Sequence, residues 1–324
     1  MSNTTEKTSN SLPLIKKERR NKVLITLFLL TALAGGGYWA VIAVTSGSVP
    51  PVALALRLAY VAILYMPVPL YTLLLSRFML GIPVPFRVLL SLKHITVKKY
   101  ALVAGLFLAW VVLMIGSVAI LGWLWPDTFG HLVTTNGHLV HNLEKLIGTS
   151  VDTSTMNMPP TPLAMLPLGI FGALMAGLTV NAIFAMTEEI MWRGYLAQAF
   201  AGLSFCKKYA TIGVLWGLWH IPLIALGYNY GTANALPGSV LFIGFCVVMS
   251  LVLGFVVERT RSVWLAAVLH GTFNGFSQVM LLLVVGGSSL LASSAVGVVS
   301  LVMWLVVFAG CYISTACASV TKRV

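Results

Sequence analysis

Residues 23–44 read VLITLFLLTALAGGGYWAVIAV, twenty-two positions without one charged side chain. A run of this length is enough to cross the hydrocarbon core of a bilayer as one helix. The chain is 59% hydrophobic and only 9% charged, which excludes an ordinary water-soluble enzyme. Seven further apolar runs follow, at residues 52–80, 100–125, 163–205, 209–228, 236–257, 263–285 and 292–314. We therefore expect an all-α, polytopic membrane protein with about eight transmembrane helices.

The basic residues indicate how these helices are oriented. With the N-terminus in the cytoplasm, seventeen of the twenty Lys and Arg residues fall in cytoplasmic segments. They are Lys7, Lys16, Lys17, Arg19, Arg20, Lys22, Arg77, Arg87, Lys93, Lys98, Lys99, Lys207, Lys208, Arg259, Arg261, Lys322 and Arg323. The outer loop 126–162 holds Lys145, and Arg57 and Arg193 lie within spans. Because cytoplasmic loops concentrate Lys and Arg, this asymmetry predicts that both termini are cytoplasmic.

The same asymmetry accounts for the net charge of +12. Basic loops are attracted to anionic lipid headgroups, so the bilayer is the expected partner and no nucleic acid is needed. Since no organelle-targeting feature is seen, we expect a multi-pass protein of a bacterial plasma membrane. The sequence does not indicate an oligomeric state.

One apolar run, residues 163–205, is too long for a single straight span. As one helix it would measure ~64 Å at ~1.5 Å per residue, about twice the thickness of the hydrocarbon core. It must therefore be broken, and Pro167, Gly169, Gly172 and Gly177 are the candidate positions. An outer surface piece, followed by a span from about Gly177, keeps the orientation that the charges require.

Ionisable side chains within the spans are few, and each is a functional candidate because its insertion costs at least ~2.5–3.5 kcal/mol. They are Arg57, Glu188, Glu189, Arg193, His220 and His270. Glu189 and Arg193 are four residues apart, acid first, which favours an ion pair on one helix face. Glu188 points about 100° away around the helix and is free for another task.

Two further pairs share a helix face at the same spacing of four residues. Trp216 lies one turn before His220, and Asn274 lies one turn after His270. On the predicted topology the two histidines lie at similar depths in the membrane. Together with Glu188 they supply a carboxylate, two imidazoles and an amide, the groups that general-base activation of water requires. Glu188, His220 and His270 could instead hold a catalytic zinc with water as the fourth ligand. We prefer the metal-free interpretation because the chain has no His-Glu-x-x-His motif, and zinc stays open as a cofactor.

The three segments Glu188-Glu189-Ile-Met-Trp-Arg193, Trp216-Gly-Leu-Trp-His220 and His270-Gly-Thr-Phe-Asn274 resemble a known set of motifs. These are E-E-x-x-x-R, F-x-x-x-H and H-x-x-x-N/B of the CPBP family of intramembrane proteases, the group that processes CAAX proteins and bacteriocins. Trp216 stands where the family often has Phe, and it keeps an aromatic ring at that position.

The resemblance implies a role for each motif residue. Glu188 would be the base that activates water, with His220 helping to position that water. Glu189 and Arg193 would hold the motif helix, and Trp216 would support it. His270 and Asn274 would stabilise the oxyanion of the tetrahedral intermediate.

This interpretation divides the chain into four regions. They are a cytoplasmic basic N-terminal arm (1–22), the first three spans with the long outer loop (23–162), a CPBP-type catalytic core (163–286), and the last span with a short cytoplasmic tail (287–324). The expected function is endoproteolysis of membrane-associated peptides or proteins, with a role in prenyl-protein or bacteriocin processing or in self-immunity. The alternatives are a proton-coupled transporter and a non-catalytic membrane scaffold or immunity protein.

Overall fold

The computed structural model describes residues 15–93, 95–154, 156–287 and 290–321. Lys7, Lys322 and Arg323, which the topology prediction used, lie outside these residues. The helices in chain order are α1 (Lys17–Val44), α2 (Pro50–Tyr60), α3 (Val68–Phe78), α4 (Phe86–Leu89), α5 (Val97–Leu124), α6 (Pro126–Phe129), α7 (Asn136–Ile147), α8 (Met165–Leu178), α9 (Val180–Glu189), α10 (Leu196–Ala199), α11 (Phe205–Ala225), α12 (Ala235–Thr260), α13 (Val263–Leu283), α14 (Leu290–Ser293) and α15 (Val298–Thr321). Two-residue strands, β1 (His131–Leu132) and β2 (Val284–Val285), form an antiparallel pair.

Four short segments have other helical geometries. Single 3₁₀ turns at Pro162–Ala164 and Thr232–Asn234 precede α8 and α12. Wider π-helical turns at Val61–Tyr65 and Ile190–Tyr195 follow α2 and α9. Such π turns are rare inside helices and are often found at functional sites.

Six helical segments of the described chain are long and apolar enough to cross a membrane: Lys17–Val44, Pro50–Phe78, Val97–Leu124, Thr232–Thr260, Val263–Leu283 and Leu290–Ser314. A seventh is added if the bent pair Pro162–Leu178 and Val180–Ala199 counts as one span. Helix α11 corresponds to the predicted run 209–228 but is not among these segments. The all-α, multi-pass class is confirmed, whereas the count of eight and the sides of the termini stay predictions.

Helix α1 begins earlier than the apolar run that predicted it. The run begins at Val23, but the helix begins at Lys17, within the segment that we expected to be a polar arm. Glu18 and Lys22 form an i,i+4 ion pair of 2.8 Å on this first part of the helix. Such a pair stabilises a helix by a few tenths of a kcal/mol, which helps these polar residues to extend it.

The long apolar run 163–205 is broken, as its length requires. Helices α8 and α9 meet at Thr179 with a bend of 56°. The backbone of Thr179, at φ −122° and ψ −110°, lies outside the helical region, and its hydroxyl bonds the Met175 carbonyl at 2.8 Å. The break is therefore two residues beyond Gly177. Pro167, Gly169 and Gly172 lie within the continuous helix α8.

Helix α13 lies at the centre of the bundle, where it packs against α5, α8, α9 and α12. Twelve of its 21 residues are buried. Helices α11 and α12 pack together closely because Gly213 and Gly217 face the partner helix. A methyl group on Gly213 would lie 2.5 Å from the Cα of Val247, and one on Gly217 would lie 2.7 Å from the Cα of Ile243. Small residues four apart allow this close approach in membrane helices.

The predicted outer loop 126–162 is partly ordered by contacts with the end of α13. It contains α6, β1 and α7, and β1 pairs with β2, which directly follows α13. The side-chain amide of Asn142 donates to the carbonyls of Leu282 and Val284 at 3.0 and 2.9 Å. These bonds fasten the loop to the helix that carries His270.

Candidate active site

Three helical segments converge at a buried polar cluster. The end of α9 supplies Glu188 and Glu189, and the π turn after it supplies Arg193. Helix α11 contributes Trp216 and His220, and α13 contributes His270. All six side chains are buried, with exposed fractions of at most 6%. The structure thus brings together the residues that the three motifs single out, with the exception of Asn274.

Glu189 binds two cationic or ionisable side chains at once. Its Oε1 atom accepts a hydrogen bond from Arg193 Nη1 at 3.0 Å, as the spacing of four residues predicted. The same oxygen lies 3.0 Å from His270 Nδ1. Since a carboxylate can only accept, the proton of this bond is on Nδ1. Glu189 therefore orients His270 as well as pairing with Arg193, a contact that the sequence did not predict.

Glu188 is held by Trp216 across the interface between α9 and α11. The indole Nε1–H donates to Glu188 Oε2 at 2.8 Å. The Trp216 ring also makes a cation–π contact, since the Arg193 guanidinium carbon lies 4.3 Å from the centre of the ring. Trp216 thus links the carboxylate of Glu188 to the pair formed by Glu189 and Arg193. A Phe at this position would give the ring contact without the hydrogen bond.

His220 is fixed by a backbone acceptor and by aromatic rings. Its Nδ1 lies 3.0 Å from the Trp216 carbonyl oxygen, which can only accept, so the proton is on Nδ1. The imidazole centre lies 4.4 Å from the Trp219 ring and 4.6 Å from the Phe242 ring, in edge-to-face contacts. When His220 is neutral, its Nε2 is therefore an acceptor, suited to orienting a water molecule.

Asn274 differs from the other motif residues because its side chain is exposed. It lies one turn beyond His270 on α13 and has no side-chain hydrogen bond within the described part of the chain. A different amide, that of Asn181 at the start of α9, donates to the Gly271 carbonyl at 3.1 Å. It ties α9 to α13 next to His270. Asn181 is a polar residue within an apolar run, and a search restricted to ionisable side chains does not find it.

The spacing of the His, Cys, Asp and Glu side chains decides whether the cluster can hold a metal ion. Within the described residues, no three His, Cys, Asp or Glu side chains are grouped closely enough to hold a metal ion. The set Glu188, His220 and His270 does not fit a three-ligand zinc site in this geometry. The mechanism proposed below uses no metal step.

The buried cluster therefore combines a carboxylate pair with two imidazoles, each oriented through Nδ1. A family model described as "Type II CAAX prenyl endopeptidase Rce1-like" matches residues 162–276, the part of the chain that holds the three motif segments. The resemblance to the CPBP family is thereby confirmed. No curated protein matches the chain at a significant level.

Proposed function

We propose that the protein is an intramembrane endopeptidase in which Glu188 activates the attacking water. The observation that carries this proposal is the contact of one Glu188 oxygen with Trp216, at 2.8 Å, in a cluster with two oriented imidazoles. The bond fixes the carboxylate and leaves its second oxygen, Oε1, for a water molecule. A general base needs this combination of fixed position and a free acceptor.

The reaction follows from these positions. Glu188 takes a proton from water, and the resulting hydroxide oxygen forms a bond to the carbon of the scissile carbonyl. His220, through its free Nε2, accepts a hydrogen bond from the same water and orients it. When the tetrahedral intermediate collapses, the carbon–nitrogen bond breaks and Glu188 returns its proton to the leaving amine. The products are a carboxylic acid and an amine, and no external oxidant or reductant is required.

His270 and Asn274 are proposed to stabilise the oxyanion. In its protonated form His270 donates from Nε2, and the carboxylate of Glu189 balances the added charge. Asn274 lies one turn further along α13, on an exposed part of a membrane-spanning helix. Because a polar side chain exposed to lipid is unfavourable, its position supports a water-filled or substrate-filled opening at this place. A substrate that enters there would receive a second donor from Asn274.

The proposed substrates are membrane-associated peptides or proteins, with prenylated proteins and bacteriocin precursors as the candidate classes. The family description supports the first class, and a role in self-immunity is compatible with the same activity. The protein is proposed to act in a bacterial plasma membrane with both termini in the cytoplasm, as the distribution of basic residues favours.

The test is cleavage of a membrane-peptide library, with and without prenylated cysteine, by the purified protein in lipid vesicles. Glu188→Gln should lower the cleavage rate by about 10³-fold, because general-base catalysis supplies about 10²–10⁴-fold. The matched control is Glu258→Gln, which removes a half-exposed carboxylate that pairs with Lys208 at 2.5 Å. The control should cleave within about twofold of the wild type, since exposed ion pairs contribute little.

Three results would overturn the proposal. If Glu188→Gln cleaves as well as the wild type, another group is the base. If the wild type cleaves no peptide but moves protons or solutes across the vesicle membrane, the protein is a transporter. Binding without either activity would indicate a scaffold or immunity protein.

A further inference from the structure

A second-span tyrosine, Tyr65, contacts the segment of α11 that carries His220, although the two are 154 residues apart in sequence. Tyr65 lies outside residues 162–276, the part of the chain that the family model covers. It is fully buried, and its hydroxyl donates to the Trp219 carbonyl at 2.7 Å. The two rings also pack together, with centres 5.4 Å apart.

The local sequence Tyr65-Met66-Pro67 explains how this contact arises. Pro67 has no backbone N–H and cannot bond the carbonyl of Ile63, four residues earlier. The chain widens into a π turn here, in which the Met66 N–H bonds the Val61 carbonyl at 2.8 Å. The hydroxyl of Tyr71 donates a hydrogen bond to the Ile63 carbonyl instead, at 2.8 Å. A π turn changes the direction in which the following residues point, and Tyr65 is its last residue.

The bond from Tyr65 reaches α11 at a weak point of that helix. Pro222 lies inside α11 and removes the N–H that would bond the Leu218 carbonyl. The carbonyl that Tyr65 bonds belongs to the peptide unit between Trp219 and His220. This peptide directly follows the one whose helical bond is missing, so the external hydrogen bond restrains the helix at His220.

Trp219 transmits this restraint directly to the imidazole. Its ring is fully buried and lies 4.4 Å from the His220 ring, centre to centre. On another side Trp192, from the π turn after Glu189, lies 6.1 Å from Trp219. Both π turns of the described chain thus supply an aromatic residue that packs on Trp219. Tyr65 and Trp192 therefore both contact the Trp219 ring, and this ring packs against His220.

From this geometry we propose that Tyr65 is a positioning residue for His220, acting through the carbonyl and the ring of Trp219. The inference rests on the proposed function, in which His220 orients the attacking water. It extends the site to the second span, outside the three motifs. Tyr65 does not touch the reacting atoms, so its loss should lower kcat and leave substrate binding nearly unchanged.

The first experiment measures cleavage kinetics for Tyr65→Phe, which keeps the ring and removes the hydroxyl. The expected loss in kcat is about threefold to tenfold, the value of one neutral hydrogen bond, with KM changed by less than about twofold. Tyr60→Phe is the matched control, because it removes a similar hydroxyl-to-carbonyl bond on the same span, to Ala34, without touching Trp219 or a carbonyl of the π turn. In a His220→Gln background, Tyr65→Phe should have almost no further effect, since the two residues act as a unit.

The second experiment does not depend on catalysis. In protein labelled with ¹⁵N-histidine, the His220 signals should shift or broaden in Tyr65→Phe and stay unchanged in Tyr60→Phe. If the wild type cleaves nothing but these signals respond as expected, the positioning contact stands and the proposed reaction fails. The positioning role is wrong if the His220 signals of Tyr65→Phe equal those of the wild type. It is also wrong if the effects of Tyr65→Phe and His220→Gln on kcat simply multiply. Trp219→Phe serves as a second variant, and its His220 signals should change as well.

Discussion

The surroundings of the two buried histidines differ in one decisive respect, although both rings donate from Nδ1. His220 donates to a backbone carbonyl and is enclosed by the rings of Trp219 and Phe242. His270 donates to the carboxylate of Glu189, which is shared with Arg193. One imidazole therefore faces a backbone carbonyl and apolar rings, whereas the other faces a buried carboxylate. The proposed function gives these two chemically identical side chains different tasks, the orientation of water for His220 and the stabilisation of negative charge for His270.

The largest expected effect comes from removing the carboxylate of Glu189, the charge that distinguishes the surroundings of His270 from those of His220. Glu189→Gln leaves the Arg193 guanidinium buried without its carboxylate, and breaking such a pair costs about 3–5 kcal/mol. We expect a clear fall in thermal stability and a loss of cleavage of at least about 10³-fold. Thermal unfolding in lipid and cleavage rates measure the two losses. Glu18→Gln, which breaks the exposed pair with Lys22, is the control and should change neither.

Substituting each histidine in turn sharpens the comparison. His270→Gln should lower kcat by about 10³-fold, because loss of an oxyanion donor costs about 10²–10³-fold and the Glu189 charge is then unbalanced. His220→Gln should lower kcat by about 10²-fold, at the low end for proton-transfer groups, because the glutamine amide can still orient water. Equal losses in the two variants would contradict the division of tasks.

A smaller effect is expected from a change at Trp216, which contacts both Glu188 and Arg193. Trp216→Phe keeps an aromatic ring beside Arg193 but removes the hydrogen bond to Glu188, so cleavage should fall by about tenfold to a hundredfold. Trp264→Phe is the matched control, since its indole donates to the Leu90 carbonyl at 3.0 Å on an exposed surface. If both variants cleave like the wild type, the Trp216 bond does not position the base.

The smallest effect is expected from metal removal. A zinc chelator should change the cleavage rate by less than about twofold, since Glu188, His220 and His270 are not grouped closely enough to hold the ion. Added zinc is the reciprocal measurement, made after chelation to detect recovery. A chelator-sensitive rate that zinc restores would move the assignment to a metalloprotease with Glu188, His220 and His270 as ligands.

Much of this site follows from spacing along single helices. The pair Glu189–Arg193 was predictable because residues four apart on one helix are neighbours whatever the tertiary structure. The bond between Glu189 and His270 was not, because it depends on how two helices 81 residues apart are rotated against each other. The exposure of Asn274 depends on the same rotation.

In the fold, the long helices were predictable from the sequence, whereas the short strands and the π turn were not. Apolar runs located the long helices to within about seven residues at each end, since length and hydropathy alone decide whether a segment can cross a bilayer. The two-residue strands β1 and β2 could not be predicted, because so short a strand has no periodicity to detect. The π turn before Pro67 had a signal, a proline inside a span, but proline does not specify the geometry that replaces the lost bond.

The pairing of β1 with β2 has a practical consequence for work with the protein. Through this ladder and Asn142, the segment 131–142 is attached to the far end of the helix that bears His270. A fluorophore or affinity tag placed there would disturb the helix that bears His270 from a distance. Residues 149–154 follow α7 and lie beyond these bonds, and they offer a better attachment point on the same side of the protein.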